Sequence, residues 1–183
     1  MDFHRKSIRL DGYDYSQSGL YFVTIDVQDK LKLFWDKKGI NNAGRMIENC
    51  WIDLINKFQI ELDDYVIMPD HFHGIVVIPW DRAAIKAART LDQSNPKIVG
   101  AGFMPALGEI IGAFKSISTG KYIDGVKNND WPRFNGRLWQ RNYWERIIRN
   151  KNELNNVRKY IKNNPRKLIK KNPPEGGFNF KLK

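Results

Sequence analysis

One cysteine, Cys50, is all the thiol chemistry this 183-residue chain has. It can close no internal disulfide and build no cysteine cage for zinc. Cys50 stands beside Trp51 in an apolar stretch, which suits a buried structural thiol better than a nucleophile. Histidine is almost as scarce: three in all, His4, His71 and His73. No stretch reaches the ~18 apolar residues needed to cross a bilayer, and the start, MDFHRKSIRLDGYDY, has no apolar signal-peptide core. The expectation is a reduced, cytoplasmic protein, neither secreted nor membrane-inserted.

What is abundant is positive charge and apolar surface. Thirty-one Lys and Arg against 20 Asp and Glu give +11, a field that attracts polyanions such as DNA or RNA. With 42% hydrophobic and 13% aromatic residues the chain can build a packed core, and its length suits one domain spanning 1–183.

Residues 20–27 (LYFVTIDV) read as a first strand, and 31–35 as a hairpin arm extending it. Ala43, Ile47, Trp51, Leu54 and Ile55 recur at helical steps and predict a helix over 41–57. Two strands follow, 60–68 and 72–78, divided by a turn at Pro69-Asp70. Residues 79–105 lack periodicity and read as a long mobile insertion. A second helix is expected over 107–123, turns over 124–137 and a fourth strand over 138–148. Asn150 and Glu153 resemble a capping box opening a last helix that stops near Asn164, before Pro165. The order β-α-β-β-α-β is that of a ferredoxin-like, split β-α-β α+β fold: an antiparallel sheet with helices on one face, plus the C-terminal helix. The core covers about 18–166, and 167–183 is a basic tail.

His71 and His73 are two apart in a strand, so their imidazoles share a face and can hold a divalent cation. Such a pair also serves as a hydrogen-bonding or surface pair. Only His4 offers a third imidazole, so oxygen donors are the expected completion. Tyr160 and Asn164, four apart on the last helix, are neighbours on one face; Asn164 can supply an oxygen to a metal and Tyr160 a hydroxyl to a phosphate. Packing and helix termination account for the same two residues. Arg133, Arg137, Arg141, Arg146 and Arg149 are interleaved with Trp131, Phe134, Trp139, Tyr143 and Trp144, a mixture that tracks phosphates while stacking bases, or else a solvated face over core aromatics.

Three segments in order carry a family resemblance: MPDHFHGIV (68–76), LGEIIGAFKSIST (107–119), and LWQRNYWERIIRN running into KNELNNVRKYIKNNP (138–165). The chain resembles the HUH-type transposases of the IS200 class, especially their REP-associated tyrosine transposase branch. The resemblance implies that His71 and His73 bind Mg²⁺ or Mn²⁺, with Asn164 in a third-ligand position more often held by glutamine. It implies that Tyr160 attacks a phosphodiester of single-stranded or hairpin DNA, giving a 5′-phosphotyrosine and a 3′-hydroxyl. Lys115 and Ser116, with Lys121 behind them, become expected DNA contacts, as do Arg133, Arg137, Trp139 and Arg141. Family members are monomers or homodimers. Segment 79–105 and the tail depart from the family pattern. Two other readings stay open: a non-catalytic nucleic-acid-binding protein on the same fold, and a metal-dependent hydrolase with a water nucleophile.

Overall fold

A computed structural model describes residues 17–79 and 105–171, with side chains as far as 165. The expected insertion, apart from its edges, the N-terminal His4 and most of the basic tail lie outside the described residues. The elements are β1 (Gly19–Asp26), β2 (Trp35–Asp36), β3 (Gly39–Ile40), α1 (Asn42–Ile52), α2 (Leu54–Lys57), β4 (Glu61–Ile67), β5 (His71–Ile78), α3 (Leu107–Asn128), β6 (Trp144–Ile148) and α4 (Lys151–Lys171).

The main sheet has the order β4-β5-β1-β6 with antiparallel neighbours throughout. This is the ferredoxin-like plan, with β5 and β1 central. Alternation in these two strands separates the sheet's faces. Tyr21, Val23 and Ile25 are fully buried on one face, in a large core with Phe72, Val76, Trp51 of α1 and Ile110, Ile111 and Phe114 of α3. The intervening residues Leu20 and Phe22 join Ile75 on the other face, where Leu154, Val157 and Ile161 of α4 cover them. The first two long helices share a face, as expected, and the C-terminal helix takes the opposite one.

Several local expectations give way to tertiary packing. Residues 31–34 are not a strand: the hairpin is the short β2–β3 pair, Trp35 opposite Ile40. The helix expected over 41–57 is interrupted at Asp53. The turns expected from residue 124 onward start only after Asn128, because α3 continues with Trp131 packed so closely on Gly125 that a β-carbon there would lie 2.1 Å from its ring. The fourth strand begins at Trp144, not at Leu138. Trp139 makes an isolated bridge to Val27, and the carbonyls of Gln140, Arg141 and Asn142 turn instead to the Lys115 ammonium at 2.9, 3.3 and 3.0 Å. Nor does Pro165 end the last helix, which runs to Lys171. A proline removes one hydrogen bond and strains the turn before it, which need not end a helix.

Two anchors hold α4. Asn150 caps its start, its Oδ1 accepting from the Glu153 N–H at 2.9 Å, while Glu153 accepts from the Arg149 N–H at 3.0 Å. Further along, a register shift between Leu62 and Tyr65 marks a bulge in β4 at the consecutive acids Asp63 and Asp64. Consecutive side chains of a regular strand point to opposite faces; at this bulge both meet α4, Asp63 pairing with Arg158 and Asp64 with Lys162 at 3.2 Å.

Candidate active site

The site begins at a tight turn. The Met68 N–H donates to the His71 carbonyl at 2.9 Å, closing the β4–β5 hairpin around Pro69-Asp70, and the Leu33 N–H holds the Pro69 carbonyl at 2.9 Å. This fixes where β5 starts, and His71 and His73 point to the same face as the strand period requires. Their rings stand 4.7 Å apart, edge to face.

Each imidazole has its Nδ1 engaged. His71 Nδ1 lies 2.6 Å from Asp70 Oδ1, and His73 Nδ1 2.8 Å from Thr24 Oγ1 on the neighbouring strand. With Nδ1–H donating to these oxygens, each ring keeps the Nε2 lone pair for an electrophile, the arrangement that orients metal-binding histidines. Neither Thr24 nor Asp70 was singled out from the sequence. Asp70 stands next to His71, while Thr24 is the one aliphatic hydroxyl inside an apolar strand, a signal that means something only once the strand pairing is known.

His73 is 3% exposed, and Phe22 stacks on it at 5.4 Å. Burial first, then the charges of His71 and Lys30, push its pKa down to about 3. Its imidazole is neutral at physiological pH and free to donate a lone pair.

Tyr160 reaches this spot from α4. Its hydroxyl is 3.5 Å from His73 Nε2, its ring is edge-on to Phe22, and it is 45% exposed. Buried Val157 and Ile161 seat the helix, so Tyr160 sits at the edge of their apolar contact, its hydroxyl turned to the histidines and its flank open to solvent. Asn164, one turn on, has a buried Nδ2 with no hydrogen-bond partner. Among the described residues no three His, Cys, Asp or Glu side chains gather to hold an ion. Two imidazoles with Nδ1 committed to neighbouring oxygens nevertheless have the donor chemistry of divalent-cation ligands through Nε2, the atom that in His73 faces the Tyr160 hydroxyl; Asn164 would have to offer its carbonyl oxygen, since its unpartnered atom is an N–H donor.

The expected DNA contacts fare unequally. Trp139 is a correction: it is 4% exposed, packs on Phe34 and Phe114 and donates to Ser118 Oγ at 2.9 Å, so it is a core residue. Lys115 is half-buried, its ammonium donating to three carbonyls and lying 5.4 Å from the Tyr143 ring centre; burial pulls its pKa down to about 8. Ser116 is exposed on α3, the helix of the opposite face. Lys121 lies 3.8 Å from Asp53. Arg133 is exposed beyond α3, while Arg137 and Arg141 line a groove with Asp26, Tyr143 and Trp144. Cys50 is buried, its pKa raised by that burial, as a structural thiol should be.

A four-stranded antiparallel sheet with a His-x-His pair on a central strand and a helical tyrosine against it is the arrangement that the resemblance to HUH-type tyrosine transposases implied. Comparison with known proteins agrees. No protein-family profile matches the chain. It is 34% identical over 167 residues to an uncharacterized protein of Haemophilus influenzae, covering 87% of each chain. It is 28% identical over 150 residues to a second protein of that organism named "Putative REP-associated tyrosine transposase", covering 81% of this chain and 70% of the other. Its fold matches the solved REP-associated tyrosine transposase bound to a REP hairpin, with TM-score 0.51, 19% identity and coverage of 87% of this chain and 73% of that one. The chain is thus similar in sequence to a putative REP-associated tyrosine transposase, and in fold to a solved one. Among the described residues no helix is long and apolar enough to cross a membrane.

Proposed function

We propose that the protein is a single-strand DNA endonuclease and strand transferase that works through a 5′-phosphotyrosine, on DNA flanked by hairpins. The observation that carries this reading is the Tyr160 hydroxyl 3.5 Å from His73 Nε2, two side chains 87 positions apart in sequence. A solvent-open phenol beside a buried neutral imidazole is a nucleophile placed at an electrophile site. A resemblance to proteins of this chemistry, and a related fold solved with a REP hairpin, support the substrate class.

His71, His73 and Asn164 would hold Mg²⁺ or Mn²⁺. Bound there, such an ion would offset charge on the phosphate and favour the phenolate. The protein's own residues do the rest. The Tyr160 oxygen attacks phosphorus and gives up its proton to solvent. A new P–O bond forms to the tyrosine as the P–O3′ bond breaks, and the departing 3′ oxygen takes up a proton. Because one phosphodiester replaces another, the reverse attack by a 3′-hydroxyl needs no external energy source. Thr24 and Asp70 keep the imidazoles aimed, and Phe22 excludes water from one side of His73.

Purified protein incubated with Mn²⁺ and labelled single-stranded hairpins, including ones from the flanks of its gene, should give a covalent protein–DNA band on a denaturing gel. Tyr160→Phe should lose the band and keep DNA binding; His73→Ala should lose the band too. Metal-dependent cleavage surviving in Tyr160→Phe would replace this reading with a water nucleophile.

A further inference from the structure

The two most exposed large hydrophobic side chains among those described are Trp144, 57% exposed, and Tyr160, 45% exposed. They share one face of the sheet. Thr24 pairs with His73 on β5 and with Trp144 on β6, so His73, Thr24 and Trp144 form one cross-strand row. Adjacent strands are about 4.8 Å apart, which puts the Trp144 backbone about 10 Å from that of His73.

β6 is an edge strand, where proteins ordinarily place charge rather than a bare indole. The neighbourhood is basic. On one side Trp144 lines the groove shared with Arg137 and Arg141; on the other, Arg146 and Arg149 line a groove that ends at Phe22 and Tyr160. An exposed indole between two arginine-lined grooves, in register with the reacting pair, has the make-up of a stacking platform on a phosphate track.

We propose that Trp144 stacks a base flanking the scissile phosphate, so that the strand runs along Arg137 and Arg141, over Trp144, and past Arg146 to Tyr160. The inference rests on the single-strand DNA reading above. A π-face accepts any base, so this contact sets the position of the strand and leaves sequence choice to other residues.

The test measures binding by the Tyr160→Phe protein, with and without Trp144→Ala or Trp144→Phe. One probe is a labelled oligothymidylate of about 20 nucleotides, longer than the track of one small domain. The other is an oligomer of the same length made only of abasic units. Trp144→Ala should weaken binding to oligothymidylate about 5- to 150-fold. It should leave binding to the abasic backbone unchanged, and Trp144→Phe should restore most of the loss. The dependence on salt should stay as it was, since no charge is removed. Equal affinities for both probes in Trp144→Ala and its parent, or an equal loss on both, would overturn the platform. If that happens while wild-type protein still forms its covalent band, the platform fails alone. A selective loss on oligothymidylate without any covalent band keeps the platform and removes the enzymatic reading. Failure to bind either probe sinks both.

Discussion

The two faces of one sheet are written by the same strands and do different work. On the face toward α1 and α3, Tyr21, Val23, Ile25, Phe72 and Val76 belong to a large core whose members are almost all inaccessible. On the face toward α4, the buried cluster among the described residues is Ile75, Ile148, Val157 and Ile161, with partly exposed residues at its margin. The first face supplies stability; the second gives up apolar burial to place Thr24, His71, His73 and Tyr160. A reactive face of this kind can lose its chemistry and keep its fold, whereas the core face loses both together.

The sharpest break should come from the core. Phe72 lies between the two histidines in sequence but points away from them, packing on Trp51 and Phe114 at 4.5 and 5.3 Å. Phe72→Ala should cost about 3–5 kcal/mol in a denaturant titration. If the cost were no larger than that of Tyr160→Phe, the division between faces would be wrong.

Ile161 comes next, because it fastens the tyrosine helix to the sheet. Ile161→Ala should cost about 2 kcal/mol, near the low end for such truncations because the cluster is small. The yield of covalent product should fall as well, since α4 loses its seat. Unchanged yield would mean that other contacts fix Tyr160.

Acid should act through the reactive face. The unfolded chain protonates a histidine near pH 6.5, whereas folded His73 stays neutral down to about pH 3. Between these values the unfolded state binds the extra proton, so this contribution to stability is complete above about pH 6.5 and declines as pH falls toward 3. Thermal unfolding from pH 7 to pH 4 should show a steeper loss for wild type than for His73→Gln; parallel curves would count against a neutral buried His73.

The smallest effect belongs to the ion pairs at the bulge. Arg158 binds Asp63 and holds its carboxyl below the usual range, but the arginine is 39% exposed and screened by solvent. Arg158→Ala should cost about 0.5 kcal/mol, and less at high salt. A much larger cost would shift the anchoring of α4 from its apolar seat to its charges.

The sheet plan was readable because β-branched and aromatic runs in 20–27 and 72–78, and helical spacing in 41–57 and 107–123, are local signals that burial enforces. Boundaries were less readable where a remote residue decides them. The helix ending at Asn128 depends on Trp131 closing over Gly125, and the late start of β6 depends on Lys115 gathering three carbonyls. Trp139 and Trp144 stand five apart in the same basic-aromatic stretch; composition cannot tell that one fills the core and the other faces solvent.

By itself, then, the sequence determined the positive charge, the strand and helix types, the shared direction of His71 and His73, and the one-turn spacing of Tyr160 and Asn164. The charge follows from composition, and the rest from periodicities of two or 3.6 residues, which the chain carries locally. Only the tertiary structure decided that α4 covers the sheet face opposite α1 and α3, that Thr24 aims His73, and that Tyr160 meets His73 across 87 positions. A periodic pattern fixes which side of an element is apolar, but which partner buries that side is settled by packing among distant parts of the chain.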